Sequence, residues 1–198
     1  LVGAPPPVCT LVGAVNCVTR TPLGCLIGTN SDIAGIAEAL KGVEIDGRDV
    51  VLIGAGGAAR AALCYLVRER ARITIAVRNP ARAEPLARLV AGGIEVVSLD
   101  GLAKAAPTLV VNATPLGMAG AADMPEQMLR LAETAEAVFD MVYSPAETAL
   151  LARARAAGAK AIGGLSMLIG QAAPSFELFF GVRPRRGLDA ELRERLVR

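Results

Sequence analysis

The chain has 198 residues, of which 53% are hydrophobic and 20% are charged, and its formal net charge is +2 at pH 7. This composition supports a complete hydrophobic core and excludes a disordered chain, while the nearly neutral charge indicates neither a nucleic-acid partner nor an anionic membrane surface. Because no apolar run reaches the ~20 residues of a membrane-spanning helix and no signal-peptide pattern opens the chain, we expect a soluble cytoplasmic protein.

The cysteine and histidine content limits the available chemistry. The four cysteines, Cys9, Cys17, Cys25 and Cys64, form no C-x-x-C pair, and the chain contains no histidine, so no metal site is predicted. Without a secretion signal, we expect the thiols to be reduced. Any proton transfer must then use Asp, Glu, Lys, Tyr or Cys.

The first 48 residues predict a hairpin followed by a helix. The segment VGAVNCVTRTPLGCLIG is typical of a short hairpin that turns at TPLG, and a helix is expected over residues 33–40 with Asp32 near its N-terminus. This part lacks the regular alternation of strands and helices that the rest of the chain shows. We therefore assign residues 1–32 to a separate domain and residues 33–48 to a linking helix.

From residue 49 onward, strand-like runs alternate with helix-length segments. The strand candidates are DVVLI, RITIAV, IEVVSL, TLVVNA, AVFDMV and AKAIGG, and the helical candidates include residues 58–69, 81–91 and 146–157. This alternation predicts an α/β fold, a Rossmann-like doubly wound parallel sheet over residues 49–181. Its ligand site should lie in the loops GAGGA, VRNPAR, NATPLGM and MVYSP, at the carboxyl ends of the strands.

The C-terminal segment, residues 182–198, predicts an amphipathic helix. Leu188, Leu192 and Leu196 recur every four residues, which places them on one helix face. We expect this face to cover another surface of the same chain. A helix that binds a partner is the alternative.

The segment VLIGAGGAARAALCYL, residues 51–66, predicts a nucleotide-binding turn. Gly54, Gly56 and Ala59 match the G-x-G-x-x-G/A pattern, in which a strand turns sharply, backbone N–H groups approach a pyrophosphate and a helix N-terminus faces its charge. Glycine turns between strands and helices are common. The following strand raises the specificity of the match, because it completes a βαβ unit of about 30 residues.

The end of that second strand indicates NADP rather than NAD. An NAD site usually carries an acidic residue here for the ribose hydroxyls, whereas this chain has Arg78, followed by Arg82. A guanidinium group matches the geometry of a 2′-phosphate. Alternatively, the two arginines are solvated residues that open a helix.

Four polar residues stand out near the predicted loops: Asn16 in GAVN, Asp32 in TNSD, Tyr143 in MVYSP and Gln171 in GGLSMLIGQAA. Each alone has an ordinary structural interpretation, as a hairpin residue, a helix cap, a packing residue and a helix-surface amide. Their order around a nucleotide-binding turn requires a common explanation.

Together with GAGGAAR, NATPLGM and FELFFG, these clusters resemble the shikimate/quinate dehydrogenase family over residues 12–181. The resemblance implies reversible, NADP-dependent oxidoreduction of 3-dehydroshikimate and shikimate, or of a close ring carboxylate, by a Rossmann domain that faces an N-terminal α/β substrate domain. Residues 1–32 would be the end of that substrate domain. The resemblance also implies the chorismate pathway of aromatic amino acid biosynthesis, and it leaves a homodimer open.

The resemblance also implies site residues. Asn16 and Asp32 would bind the substrate hydroxyls, with Asp32 as the catalytic partner of a lysine, and Tyr143 and Gln171 would bind substrate from the nucleotide side. The implied cofactor-binding residues are Gly54, Ala55, Gly56, Gly57, Ala58, Arg78, Arg82, Thr114, Met141 and Gly164.

The departures from the family pattern leave alternatives open. The only lysines, Lys41, Lys104 and Lys160, match no catalytic position. We therefore expect either part of a longer enzyme or a shortened, non-catalytic NADP-binding module that acts as a sensor or partner subunit. Cys17 stands where the family usually has threonine, and Val77 replaces an asparagine that would contact the adenosine phosphate, so shikimate, quinate and an amino-substituted analogue all remain candidate substrates.

Overall fold

The structure, a computed structural model, describes residues 13–90, 93–104 and 106–197. Its strands are β1 (Cys17–Arg20), β2 (Leu26–Thr29), β3 (Asp49–Ile53), β4 (Arg72–Val77), β5 (Glu95–Ser98), β6 (Leu109–Asn112), β7 (Ala137–Asp140) and β8 (Lys160–Gly163). Its helices are α1 (Asp32–Ala39), α2 (Gly57–Arg68), α3 (Glu84–Ala87), α4 (Glu126–Thr134), α5 (Ala149–Ala156), α6 (Leu165–Phe180) and α7 (Asp189–Val197). Short 3₁₀ turns cover Pro80–Arg82, Leu99–Lys104 and Arg186–Leu188.

Six parallel strands form the central sheet, in the order β5-β4-β3-β6-β7-β8. The chain builds outward from β3 to β5 and then returns to β6 on the other side of β3. This reversal opens a crevice at the carboxyl ends of β3 and β6, where ligands bind in doubly wound sheets. The predicted Rossmann-like fold and all six strand candidates are confirmed.

The sheet is buried on both faces, which explains the continuous apolar runs of its central strands. Successive residues of a strand point to opposite faces. Val50 and Leu52 pack into the core with α1, α2 and α3, whereas Val51 and Ile53 pack into a second core with α4 and α5. The helices therefore lie in two layers around one sheet.

Strands β1 and β2 form a separate antiparallel hairpin, as predicted. The Gly24 N–H donates to the Thr21 carbonyl at 2.9 Å, and Gly24 has a φ of +86°, so the turn falls at TPLG. The segment before Gly13, which includes Cys9, lies outside the described residues.

Three helix boundaries differ from expectation. The linking segment 33–48 is helical only as far as Ala39, and the chain then turns through glycines with positive φ. The helix expected over residues 81–91 is instead a 3₁₀ turn and the short α3, because Pro85 cannot donate within a continuous helix and its ring would clash with the preceding turn. Helix α5 starts at Ala149, three residues late, because Thr148 caps it.

A C-terminal helix is present and packs beside α6, but it covers only Asp189–Val197 of the predicted residues 182–198, so Leu188 lies in the 3₁₀ turn before it. All three leucines line cavities beside α6, yet each stays exposed, so this face is only partly covered by the described residues. No helix within the described ranges is both long and apolar enough to cross a membrane.

Candidate functional site

The turn after β3 is shaped by glycine. Gly54 has a φ of +115°, and a Cβ there would lie 2.9 Å from the Ala113 carbonyl oxygen. A Cβ on Gly56 or Gly57 would meet no atom within 4 Å, so the first residues of α2 border open space. Ala59 is fully buried against the sheet. The turn thus combines a sharp reversal, an open backbone surface and close helix packing, the three features that a pyrophosphate site needs.

Two exposed arginines lie beside this crevice. Arg78 follows β4 and Arg82 ends the adjacent 3₁₀ turn. Neither forms an ion pair or a side-chain hydrogen bond with the parts of the chain that the structure describes. Asn79 caps the turn between them by accepting from the Ala81 N–H at 3.2 Å. The two guanidinium groups are therefore available to an anion that binds in the crevice.

A buried polar network underlies the loops after β6 and β7. The Asp140 carboxylate accepts from Asn112 Nδ2 at 2.9 Å, from the Val142 N–H at 3.1 Å and from Thr148 Oγ1 at 2.7 Å. The Asn112 side-chain oxygen in turn accepts from Thr114 Oγ1 at 2.7 Å. Burial raises the pKa of Asp140, and the three hydrogen bonds oppose that rise. The network orients Thr114 at the crevice.

Asn112, Asp140 and Thr148 are not among the site residues that the sequence motifs predict. Asn112 and Asp140 end apolar strands and are fully buried. A polar residue at the carboxyl end of a buried strand is the signal that identifies them, because such a group needs buried partners.

Met141 and Gly164 meet at the same sheet edge. A Cβ on Gly164 would lie 2.2 Å from the Met141 carbonyl oxygen, so the start of α6 approaches the loop after β7 as closely as only glycine permits. The structure therefore brings the predicted cofactor-binding residues Gly54, Thr114, Met141 and Gly164 to the ends of adjacent strands. Ala55 and Ala58 are half-buried within the glycine turn.

Asn16 and Asp32 form a direct pair. Asn16 Nδ2 donates to Asp32 Oδ1 at 2.8 Å and to Ser31 Oγ at 3.1 Å, while the Asn16 side-chain oxygen accepts from the Ser31 N–H at 2.9 Å. The hairpin is thereby joined to the start of α1. Burial raises the pKa of Asp32, and the hydrogen bond from Asn16 opposes that rise.

A cavity of about 650 Å³ brings three of the four predicted substrate residues together. Asn16 and Asp32 line one side, and Gln171 of α6 lines another. Tyr143 does not line this cavity; it follows β7 and is 53% exposed. The structure therefore supports a common site for Asn16, Asp32 and Gln171 and leaves Tyr143 apart from it.

Two helix glycines determine how closely Asp32 approaches Gln171. Helices α1 and α6 cross where a Cβ on Gly35 would lie 2.5 Å from the Met167 carbonyl oxygen and 3.1 Å from Gln171 Cβ. A Cβ on Gly170 would lie 2.8 Å from Glu38 Cβ. Glycine inside a helix weakens it by about 1 kcal/mol relative to alanine, so its presence there indicates a packing role that the sequence argument overlooked.

Lys41 and Lys160 do not line the cavity. Lys41 is exposed just after α1, and Lys160 begins β8, with its Nζ 3.4 Å from the Gly42 carbonyl oxygen. The cysteines that the structure describes, Cys17, Cys25 and Cys64, form no disulfides. The described residues also contain no group of three or more Asp, Glu, Cys or His side chains that could hold a metal ion.

These features define a class of protein. The strand order, the glycine turn and the exposed arginines form a dinucleotide-binding domain of the Rossmann type, and a polar cavity lies beside it. This combination is typical of oxidoreductases that act on small molecules.

Comparisons with known proteins identify the family. The family described as Shikimate / quinate 5-dehydrogenase matches residues 36–116, and the Shikimate 5'-dehydrogenase C-terminal domain matches residues 164–188. The shikimate dehydrogenase (NADP(+)) of Sphingopyxis alaskensis is 44% identical over 187 residues, which cover 94% of this chain and 68% of that protein. The chain belongs to the shikimate/quinate dehydrogenase family, as its sequence motifs predict.

Solved structures of the family share the fold. Shikimate 5-dehydrogenase from Thermus thermophilus, in complex with NADP(H) and shikimate, is 34% identical with a TM-score of 0.81, covering 98% of this chain and 73% of that one. Quinate dehydrogenase from Corynebacterium glutamicum, in complex with NAD, is 32% identical with a TM-score of 0.83, covering 98% and 71%. The chain spans 68% and 60% of the length of two curated relatives.

Proposed function

We propose that the protein catalyses the reversible, NADP-dependent oxidoreduction of 3-dehydroshikimate and shikimate, or of a close ring carboxylate. The observation that carries this proposal is the hydrogen-bonded pair Asn16–Asp32, which shares one cavity with Gln171 in a chain that also has an open glycine turn. Amide and carboxylate groups in one cavity match a ligand with several hydroxyl groups. Family membership supports the same reaction.

The chain's own residues would bind and orient the substrate. Reducing a ketone requires a hydride, which bound NADPH supplies, and a proton for the developing alkoxide. We assign Asp32 to accept a substrate hydroxyl and to orient the proton donor, because its second oxygen is not used by Asn16. Asn16 and Gln171 would hold the remaining polar groups, and Tyr143 would bind substrate from the nucleotide side.

The cofactor roles follow from the crevice. The turn from Gly54 to Ala58 would hold the pyrophosphate with backbone N–H groups, Arg78 and Arg82 would pair with the 2′-phosphate, and Thr114, Met141 and Gly164 would border the nicotinamide ribose. Support comes from the open space at Gly56 and Gly57 and from the exposed guanidinium groups.

Oxidation of NADPH in the presence of 3-dehydroshikimate tests the reaction. We expect Asp32→Ala to lower kcat/KM at least about 100-fold, since it removes a group positioned on the reacting hydroxyl. The matched control is Asp123→Ala, because Asp123 is exposed and does not line the cavity. If a folded Asp32→Ala variant keeps wild-type activity, the role of Asp32 is wrong. If the wild type binds NADP but is inactive with every ring substrate tried, the binding-module alternative is favoured.

Titration with NADP and NAD tests the cofactor. A charged hydrogen bond to the 2′-phosphate is worth about 1.5–3 kcal/mol, so Arg78→Ala should weaken NADP binding about 10-fold or more and leave NAD binding unchanged. Arg88→Ala, with an exposed arginine beyond α3, is the control. An unchanged ratio of NADP to NAD affinity in Arg78→Ala would overturn the 2′-phosphate assignment.

The proposal also covers the domains, the cellular location and the pathway. Residues 49–181 would form the NADP-binding domain and residues 1–32 part of the substrate domain, and the enzyme would act in the cytoplasm, in the chorismate pathway of aromatic amino acid biosynthesis. Light scattering of the purified protein distinguishes a monomer from the homodimer that the family resemblance leaves open.

A further inference from the structure

The hairpin that carries Asn16 buries few of its residues within the part of the chain that the structure describes. Of the four residues of β1, only Cys17 is buried, and of the four residues of β2, only Gly28 is buried. A two-stranded hairpin is at best marginally stable by itself. The position of Asn16 relative to Gln171 therefore depends on the contacts of Cys17 as well as on the hydrogen bonds that join Asn16 to the start of α1.

Cys17 contacts helix α6 one turn beyond Gln171. The residue is 6% exposed, and Cys17 Sγ lies 3.2 Å from Ser175 Oγ. On its other side, Cys17 Sγ lies 3.8 Å from Ser31 Oγ, which accepts from the Asn16 amide. The thiol thus sits between the hydroxyl beside Asn16 and a hydroxyl of α6.

The number of available protons indicates which atom donates in the contact between Cys17 and Ser175. Ser175 Oγ donates its only proton to the Gln171 carbonyl oxygen, at 2.9 Å. Ser175 Oγ is then the acceptor at its contact with Cys17, and the single S–H proton is shared between Ser175 Oγ at 3.2 Å and Ser31 Oγ at 3.8 Å. The hydrogen bonds run from Cys17 through Ser175 to the backbone of Gln171.

We propose that Cys17 is a positioning residue for the substrate cavity. Its hydrogen bond to Ser175 sets the spacing between Asn16, next to it in β1, and Gln171, one turn before Ser175 in α6. This inference rests on the proposed function, because the cavity is taken to hold the ring substrate. It assigns the thiol a hydrogen-bonding role, distinct from simple packing.

Two replacements of Cys17 separate hydrogen bonding from packing. Cys17→Ser keeps a donor at nearly the same place, whereas Cys17→Val fills the volume and suits a strand but cannot donate. We expect Cys17→Val to raise the KM for shikimate about fivefold, the usual effect of one lost hydrogen bond, and Cys17→Ser to leave it within about twofold of wild type. The Kd for NADP should not change in either variant, since the thiol lies outside the cofactor crevice.

The partner and control variants test the same contact. Ser175→Ala should raise the KM as Cys17→Val does, and the double variant should be no worse than either single variant, because both remove one interaction. Cys25→Val, on the exposed end of the same hairpin, and Ser166→Ala, on the same helix, should leave the KM unchanged. Additive effects of the two substitutions would contradict the proposal.

Hydrogen exchange of the hairpin amides gives a readout that does not need activity. We expect residues 17–29 to exchange faster in Cys17→Val than in wild type or Cys17→Ser. The proposal is overturned if Val and Ser variants give the same KM and the same exchange. Failure of the proposed function has a different signature: a wild type that neither oxidises NADPH with 3-dehydroshikimate nor binds shikimate, with the exchange difference still present.

Discussion

The two sides of the candidate site are built from different parts of the polypeptide. On the cofactor side, glycines shape the backbone: Gly54 adopts a φ of +115°, and Gly164 lies against the loop after β7. On the substrate side, the shape comes from side-chain hydrogen bonds among Asn16, Ser31 and Asp32 and from the close crossing of α1 and α6. The shape of the cofactor side is therefore set at one edge of the sheet, whereas the shape of the substrate side depends on how the hairpin, α1 and α6 meet.

This difference determines how each side responds to change. The cofactor crevice depends on the conformation of a short turn, so a substitution there acts locally on binding. The substrate cavity depends on the hairpin, α1 and α6 together, and the Cys17–Ser175 contact joins residues 158 positions apart. A distant packing change should therefore disturb substrate binding while NADP binding persists.

Gly35→Ala is expected to have the largest effect. The new Cβ would lie 2.5 Å from the Met167 carbonyl oxygen, so α1 and α6 must move apart. Overpacking of this kind costs about 3 kcal/mol, which exceeds the gain in helix propensity of about 1 kcal/mol. We expect a lower free energy of unfolding in urea and a higher KM for shikimate, with the Kd for NADP unchanged.

Gly187→Ala is the matched control for this prediction. A Cβ there meets no atom within 4 Å, so the variant should keep wild-type stability and KM. If Gly35→Ala weakens NADP binding as much as shikimate binding, the two sides of the site are not independent in the way described.

The paired variants Gly54→Ala and Gly56→Ala should show the next largest effect, on the cofactor side. Strain at a φ of +115° costs about 2 kcal/mol, so Gly54→Ala should lose stability and NADP affinity together. A Cβ on Gly56 has open space, so Gly56→Ala should keep its stability but bind NADP about 10-fold more weakly, because the methyl group occupies the crevice. Calorimetry and urea unfolding measure both quantities. Equal NADP affinity in Gly56→Ala and wild type would place the pyrophosphate elsewhere.

The cofactor side could be predicted from the sequence because its determinants are local. Gly54, Gly56 and Ala59 fall within one strand–turn–helix unit, and Arg78 follows the next strand. Buried parallel strands also have a direct signal in their continuous apolar runs. These features rest on short-range sterics and hydrogen bonding, which a sequence pattern displays.

The substrate side required the family resemblance because its determinants are distant in sequence. Nothing local shows that Asp32 and Gln171 share a cavity, since their proximity follows from the crossing of α1 and α6 at Gly35 and Gly170. The substrate role of Tyr143 stays a prediction, because Tyr143 does not line the cavity that the other three residues share. The buried Asp140 network was missed because its partners come from separate strands and loops.

Asn16→Ala tests the electrostatics of the substrate side and should have a moderate effect. Burial raises the pKa of Asp32 above its usual 3.8, and the Asn16 hydrogen bond lowers it. Because the ionised carboxylate accepts the substrate hydroxyl, kcat/KM should fall as the pH drops through the raised pKa. Removing Asn16 should move this acid limb to higher pH and lower kcat/KM about 10-fold near neutral pH. Asn79→Ala, on the cofactor side, is the control and should leave the acid limb of the kcat/KM profile at its wild-type pH. If the acid limb of Asn16→Ala also stays at the wild-type pH, a group other than Asp32 controls it.

Asp140→Asn is expected to have the smallest effect, because three hydrogen bonds oppose the cost of burying the carboxylate. Burial raises the pKa of Asp140, so the unfolded chain loses this proton at a lower pH than the folded protein does. The wild type therefore loses stability as the pH rises from the usual value of 3.8 through the raised folded pKa, whereas the amide has no proton to lose. Urea unfolding from about pH 4 to pH 8 should show the stability of the wild type falling relative to that of Asp140→Asn, and then levelling. A difference that grows in favour of the wild type as the pH rises would mean that the hydrogen bonds outweigh burial, and that the network holds a carboxylate with a lowered pKa.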